Sequence, residues 1–377
     1  MCILLILTTG LQACSTSVEP VSQTTLLSHY HDQHFSPVDN IPTPQSLFTL
    51  SGNQIDDIKQ SLSPKAQRVL VHQWLAQYIN AYEGGFQYAD NVTRTASETF
   101  DDRKGNCLSL VLLTAAIAQE LGVSVVFQQI DIPPVWDRQG GVYLINGHIN
   151  LKLLPQEQTH VFNVDSTEIL VDFLPARTMQ GYGKRKVSQS KIISMFYNNI
   201  AADALVIGDY NRAYSLVKMS LQQQDVFLPA LNTLAVLYRY KGLNAEAEAL
   251  YKLALAFKPN DMDILTNYSI LLAVQNRLAE WGELHRVIEL ARIRNPYYYY
   301  GIAQQAYNDK EYQTAINWYK KAIDKADYRH EFYFGLSRSY WAMGDQYRSQ
   351  IHMQKALSLS TDIQHQRRYQ AKLNAMN

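Results

Sequence analysis

The period of hydrophobic and polar positions changes several times along the chain. Over 63–82 the apolar residues Val69, Leu70, Val71, Trp74, Leu75, Tyr78 and Ile79 fall mostly on one side of a 3.6-residue spiral, which predicts an amphipathic helix. Residues 107–121 are apolar on all sides, rich in Leu and Ala, and closed by Gly122. They predict a buried helix. Gly105-Asn106 supplies its turn and cap, so Cys107 falls in the first turn. The period then drops to two. Residues 123–130 are β-rich, and Pro133-Pro134 and Gly140-Gly141 mark a loop. A second strand region covers 142–153. From His148 it alternates, with Ile149, Leu151 and Leu153 facing one way and His148, Asn150 and Lys152 the other. A third, 160–165, sets Phe162 and Val164 against Asn163 and Asp165.

From residue 194 onward the pattern repeats every 34 residues, with Pro259 as an anchor. Leu231, Leu234, Ala235, Tyr238, Gly242, Ala247, Tyr251, Ala254 and Pro259 form one unit. Tyr197, Ile200, Ala201, Gly208 and Ala213 take equivalent places upstream. Downstream stand Tyr299, Ile302, Ala303, Ala315, Tyr319 and Ala322, then Tyr333, Leu336, Ser337, Tyr340, Gly344 and Ala356. Small residues let paired helices approach and large ones fill the gaps. This resembles the tetratricopeptide repeat family, and implies an all-α solenoid of five units over 194–363. The unit 262–295 is degenerate, with Trp281 where a small residue is usual and His285 where an aromatic is usual. Residues 364–377 are expected to form a polar capping helix. Standard helix pairing would place Asn232, Arg239, Tyr300, Gln304, Tyr307, Phe334, Arg338 and Trp341 on the inner face. Aromatic and Arg side chains there suit a protein or peptide partner, and packing against the preceding domain is the other reading.

The first residues read as an address. A short apolar run ends in Leu11-Gln12-Ala13-Cys14, which resembles the bacterial lipoprotein cleavage box. The resemblance implies a signal peptide over 1–13 and a lipid anchor on Cys14. With Ser15 next, it implies an outer-membrane location facing the periplasm. Residues 14–45, rich in Ser, Thr, Pro and His, suit a tether. Of three cysteines, Cys107 would then be the lone free thiol in an oxidising compartment. The 377 residues are 47% hydrophobic and 18% charged, as in a globular protein with a substantial core. Lys plus Arg and Asp plus Glu are 34 each, which gives no reason to expect nucleic acid. No phosphate-binding glycine loop or metal-spaced cluster occurs, so no cofactor or metal is expected.

The chemistry sits in the middle. A Cys in a helix's first turn meets unpaired backbone N–H groups and the positive end of the helix dipole. These favour its thiolate, with Arg103 and Lys104 close in sequence. A His on a strand and an Asp at the end of the next strand follow it. Gly105-Asn106-Cys107, Gly147-His148-Ile149-Asn150 and Asn163-Val164-Asp165 together resemble the transglutaminase-like superfamily of papain-related folds. The resemblance is strongest to bacterial lipoproteins that join such a core to tetratricopeptide repeats. It implies an α+β papain/transglutaminase-like domain over 46–180, joined to the repeats by a linker over 181–193. Cys107 would be the nucleophile, His148 the general base and acid, and Asp165 the orienting carboxylate. His160 is the second candidate base and Asp172 the second candidate carboxylate. Animal transglutaminases carry a Trp beside the Cys, and here Asn106 and Leu108 flank it. Two functions stand against each other. One is an envelope-anchored thiol enzyme that hydrolyses or transfers an amide or peptide bond. The other is a non-catalytic adaptor whose repeats scaffold a periplasmic complex.

Overall fold

A computed structural model of the chain describes residues 27–63, 69–80, 85–89, 92–130, 138–139, 142–143, 148–155, 167–173, 183–224, 226–360 and 363–376. The signal sequence, Cys14, His160 and Asp165 lie outside these residues, as does the strand expected over 160–165.

The described α/β segment holds four α-helices, of which the hydrophobic period announces the second and the fourth. α1 (Gly52–Leu62) starts at Ser51, whose side chain accepts from Gln54 N–H while the Gln54 side chain accepts from Ser51 N–H. α2 (Val71–Ile79) buries Trp74, Leu75, Tyr78 and Ile79, the apolar face read from the sequence. α3 (Ala96–Asp102) has a second capping box, Thr95 with Glu98. α4 (Cys107–Glu120) is buried along nearly its whole length, as its unbroken apolar sequence requires.

Strands β1 (Gln87–Tyr88) and β2 (Lys104–Gly105) pair in parallel just before α4, and β4 (Arg138–Gln139) and β5 (Val142–Tyr143) form a separate small hairpin. The main sheet contains β3 (Val125–Ile130), β6 (His148–Leu153), β7 (Ile169–Val171) and β8 (Lys184–Lys186) in the order β7-β6-β3-β8, every pair antiparallel. β8 runs through the expected linker and becomes an edge strand. Ile149, Leu151, Leu153, Phe127 and Val171 share one core cluster with the apolar residues of α4.

Helix pairs then follow: α5 (Gln189–Val206) with α6 (Tyr210–Gln223), α7 (Leu228–Tyr240) with α8 (Asn244–Phe257), and α9 (Met262–Val274) with α10 (Leu278–Arg294). α11 (Pro296–Asn308) pairs with α12 (Tyr312–Lys325), α13 (His330–Ala342) with α14 (Gln346–Leu359), and α15 (Ile363–Met376) packs last. The turn inside every pair contains one left-handed residue. These are Gly208, Gly242, Asn276, Lys310 and Gly344, each 34 residues from the next, with φ of 83°, 76°, 57°, 64° and 80°. The repeat is thus written in the backbone as well as in the packing. Ala201, Ala213, Ala235, Ala247, Ala254, Ala303, Ala315, Ala322 and Ala356 are wholly buried where helices meet. At Gly335 a Cβ would lie 2.4 Å from the Tyr319 ring, so that contact needs glycine.

One buried apolar cluster runs from Leu47 through α4 and the sheet to Leu272 in α9, joining the α/β segment to the first repeats. It ends at the degenerate unit, where Trp281 and His285 stack at 4.6 Å and Ile288 is the buried residue of α10. The outer repeats have separate clusters.

The expected tether is packed against the repeats from His29 onward. Tyr238 hydroxyl donates to His29 O (2.7 Å) and accepts from His31 N–H (3.2 Å). Asp32 accepts from Tyr214 hydroxyl (2.7 Å) and pairs with Lys218 (2.6 Å). Phe35 stacks on Tyr214 at 3.9 Å, and Tyr197 donates to Pro42 O (2.6 Å). The aromatic residues among the polar ones give this strap something to bury, which a solvated linker lacks.

Candidate functional site

Cys107 is placed by what precedes it. Gln87 N–H donates to Arg103 O (2.8 Å), Ala89 N–H to Gly105 O (2.9 Å), and Asn106 N–H to Val92 O (3.0 Å). Asn106, buried, caps α4: its Oδ1 accepts from Ser109 N–H at 2.9 Å, and its Nδ2 donates to Thr93 Oγ1 at 2.7 Å. Thr93 Oγ1 also accepts from Asn199 on α5, at 3.5 Å, so the cap touches the first repeat. Gly105 is required, because a Cβ there would lie 2.6 Å from Ser109 Cβ. Ser109 cannot retreat: it is wholly buried, its Oγ accepts from Arg94 N–H (2.8 Å), and it lies 3.1 Å from Val92 O.

Arg103, close to the thiol in sequence, lies against aromatic rings. It is left-handed at φ 53°, with its guanidinium 4.8 and 4.2 Å from the Phe86 and Phe100 ring centres and donating to Tyr78 hydroxyl at 3.4 Å. The aromatic faces satisfy the cation there.

His148 opens β6 and is 3% exposed. Its Nε2 lies 2.7 Å from Asp172 Oδ1, just after β7. Asn150, two residues on and on the same face, donates from Nδ2 to Asp172 Oδ2 at 2.6 Å. The Cys107 thiol is near enough to the His148 ring to act on its titration. Burial depresses the His148 imidazolium most strongly. The hydrogen bond and charge of Asp172, with the nearby Cys107, outweigh it, raising the pKa to about 9. His148 and Asp172 therefore meet, with Cys107 near the ring. The carboxylate on His148 is Asp172, ranked behind Asp165 in the sequence reading. Two signals pointed to it: a short β-rich run, Ile169-Leu170-Val171, ending in Asp, and the antiparallel pairing of Leu151 with Val171, which brings Asp172 beside His148 and Asn150. Asn150, which the alternation already places on the His148 face, carries no role in the sequence reading. Among the described residues no group of three or more His, Cys, Asp or Glu could hold a metal.

The eight inner-face residues divide. Asn232 Oδ1 accepts from Asn267 (3.1 Å) in the next unit, and the Arg239 guanidinium lies 4.9 Å from the Tyr240 ring. Tyr300 accepts from Gln304 (2.8 Å), and Arg338 lies 4.2 Å from the Tyr307 ring centre. Trp341 is 44% exposed. Phe334 is not offered to a partner: it is buried under α15, stacked on Tyr369 at 4.9 Å.

The tetratricopeptide repeat model matches residues 228–261 and 330–363, the stretches that hold α7–α8 and α13–α14. The C-terminal half carries tetratricopeptide repeats. No family model matches the part of the chain that holds Cys107 and His148. No curated protein matches the chain. Among solved structures it is similar to MamA from Desulfovibrio magneticus RS-1 (16% identity, 44% of this chain and 94% of that one, TM-score 0.25). It is also similar to a thermophilic TPR protein of Thermus thermophilus (19%, 48% and 98%, 0.25). A third is YrrB, described as a TPR protein with an unusual peptide-binding site (14%, 46% and 89%, 0.24).

Proposed function

We propose that the tetratricopeptide array of this chain binds a protein or peptide partner and that the chain acts as an adaptor in assembling a protein complex. The family match over two units carries this reading. Exposed Trp341 and the Arg338–Tyr307 pair support it, since aromatic and Arg side chains dominate such interfaces. Partner capture with wild type and Cys107→Ala tests it. An adaptor retains the same proteins equally in both forms. A species trapped by the variant and released by wild type contradicts a purely adaptor role.

One observation favours a second activity on the same chain: His148 is held by Asp172 with Cys107 near its ring. That arrangement, with the Cys at a helix start and the other two on neighbouring strands, supports a transglutaminase-like thiol site. In this reading the Cys107 thiolate attacks an amide carbonyl carbon, forming a C–S bond. The Cys107 N–H is the candidate donor to the oxyanion. The His148 imidazolium gives its proton to the leaving amine as the C–N bond breaks, and Asp172 holds the ring. Water or an amine then releases the acyl group. Lipidation of Cys14, and with it an outer-membrane place facing the periplasm, belongs to the same proposal, supported by Leu11-Gln12-Ala13-Cys14. Cys14→Ala should release the chain from the membrane fraction.

A further inference from the structure

The basic run Lys184-Arg185-Lys186 forms β8, an exposed edge strand. Its register fixes its place relative to the thiol site. Lys184 is opposite Ile130, and Ile130 is opposite His148. Lys186 is opposite Gln128, and Gln128 is opposite Asn150. Paired residues share a face, so Lys184 and Lys186 lie on the face of His148 and Asn150, while Arg185 aligns with Ile149. Two strand spacings of about 4.8 Å put the Lys184 backbone about 10 Å from that of His148.

The local charge is unusual. The chain is neutral overall, yet two lysines of this short strand share one face. Other charges nearby are matched: Lys152, also on the His148 face, pairs with Glu168, Arg94 with Asp102, and Asp172 with His148. No ion pair among the described residues involves Lys184 or Lys186. Among those residues β8 pairs with β3 alone.

We propose that Lys184 and Lys186 select an acidic peptide as the substrate of the thiol site, an inference that rests on the thiol-site reading. An extended segment laid along β8 adds main-chain hydrogen bonds. A carboxylate side chain on Lys184 or Lys186 then lies one to three residues from the amide at Cys107, at the rise of an extended chain.

Two thiol reagents of similar size and different charge test this without a known substrate. Iodoacetate and iodoacetamide are reacted with the full chain, alkylation is read on the Cys107 peptide by mass spectrometry, and the rate ratio is normalised to that of glutathione. Two cations about 10 Å away change the approach of a singly charged reagent about threefold at low salt. The ratio should therefore exceed that of glutathione in wild type. It should fall about threefold in Lys184→Ala/Lys186→Ala and about eightfold in Lys184→Glu/Lys186→Glu, with the differences collapsing in 0.5 M NaCl. Unchanged iodoacetamide rates show that the variants keep the site intact, and Lys186→Ala alone provides a milder change. Equal ratios in all forms, with both reagents reacting, overturn the inference and leave the lysines as guards against edge pairing. A thiol inert to both reagents overturns the thiol-site reading itself.

Discussion

Replacing Asp172 with Asn isolates the carboxylate under His148 while keeping its shape. Asp172 accepts from His148 Nε2 at 2.7 Å and from Asn150 at 2.6 Å, and its side chain is 9% exposed. Burial lowers the His148 pKa, and Asp172 and Cys107 more than offset that, raising it from 6.5 to about 9. At about 1.4 kcal/mol per pH unit the interval is worth about 3 kcal/mol. Between these values the folded chain holds a proton that the unfolded chain has lost, so stability falls as pH rises. The contribution is fully present below pH 6.5 and is lost through about pH 9. Asn cannot supply the charge, and burial then dominates. The variant should be about 3 kcal/mol less stable than wild type at pH 6, and within about 1 kcal/mol of it at pH 10. Urea unfolding of both proteins at the two pH values measures the difference, and titrations elsewhere in the chain cancel. A deficit that is equal at both pH values, or larger at pH 10, refutes the reasoning.

Gly105→Ala drives a Cβ to 2.6 Å from a fully held Ser109. It should cost about 2 kcal/mol by urea unfolding and alter Cys107 alkylation, and a loss below about 0.5 kcal/mol contradicts the packing account. Lys310→Gly relieves a left-handed lysine at φ 64°. The relief, about 1–2 kcal/mol, exceeds the entropic cost of glycine, so the variant should be more stable by about 0.5–1 kcal/mol and melt roughly 2 °C higher. Phe35→Ala removes the ring stacked on Tyr214. It should weaken the strap by about 2 kcal/mol and expose residues 27–48 to limited proteolysis that wild type resists.

Much of this architecture could be read from residue order. The 34-residue period was carried by buried alanines and by turn glycines, whose constraints are local and steric. It stayed readable where Lys310 replaced glycine, because Ala303, Ala315, Tyr319 and Ala322 kept their spacing, while the degenerate Asn276 unit was placed by its neighbours on either side. α2 and α4 followed from apolar faces, and Cys107 from the Gly105-Asn106 cap. α1 and α3 were missed because their signal lies in the side-chain caps of Ser51 with Gln54 and Thr95 with Glu98, which a hydrophobic count does not weigh. The choice of Asp172 depended on strand pairing, since register between distant strands is not encoded in the sequence spacing of His and Asp. The strap was misjudged for a similar reason: His31, Phe35 and Asp32 look solvated until Tyr214, Lys218 and Tyr238 meet them about 200 positions later.

The thiol site stands or falls on whether His148 acts on Cys107. The measurement is the rate of iodoacetamide alkylation at Cys107, from pH 5 to pH 10, in the full chain and in His148→Ala, with circular dichroism to confirm the fold. A working pair predicts that His148→Ala slows the reaction at least about tenfold at pH 6–7 and leaves it little changed at pH 10, where any exposed thiol is ionised. Equal rates in the two proteins across the whole range would make Cys107 a structural residue and leave the repeat surface as the functional part of the chain.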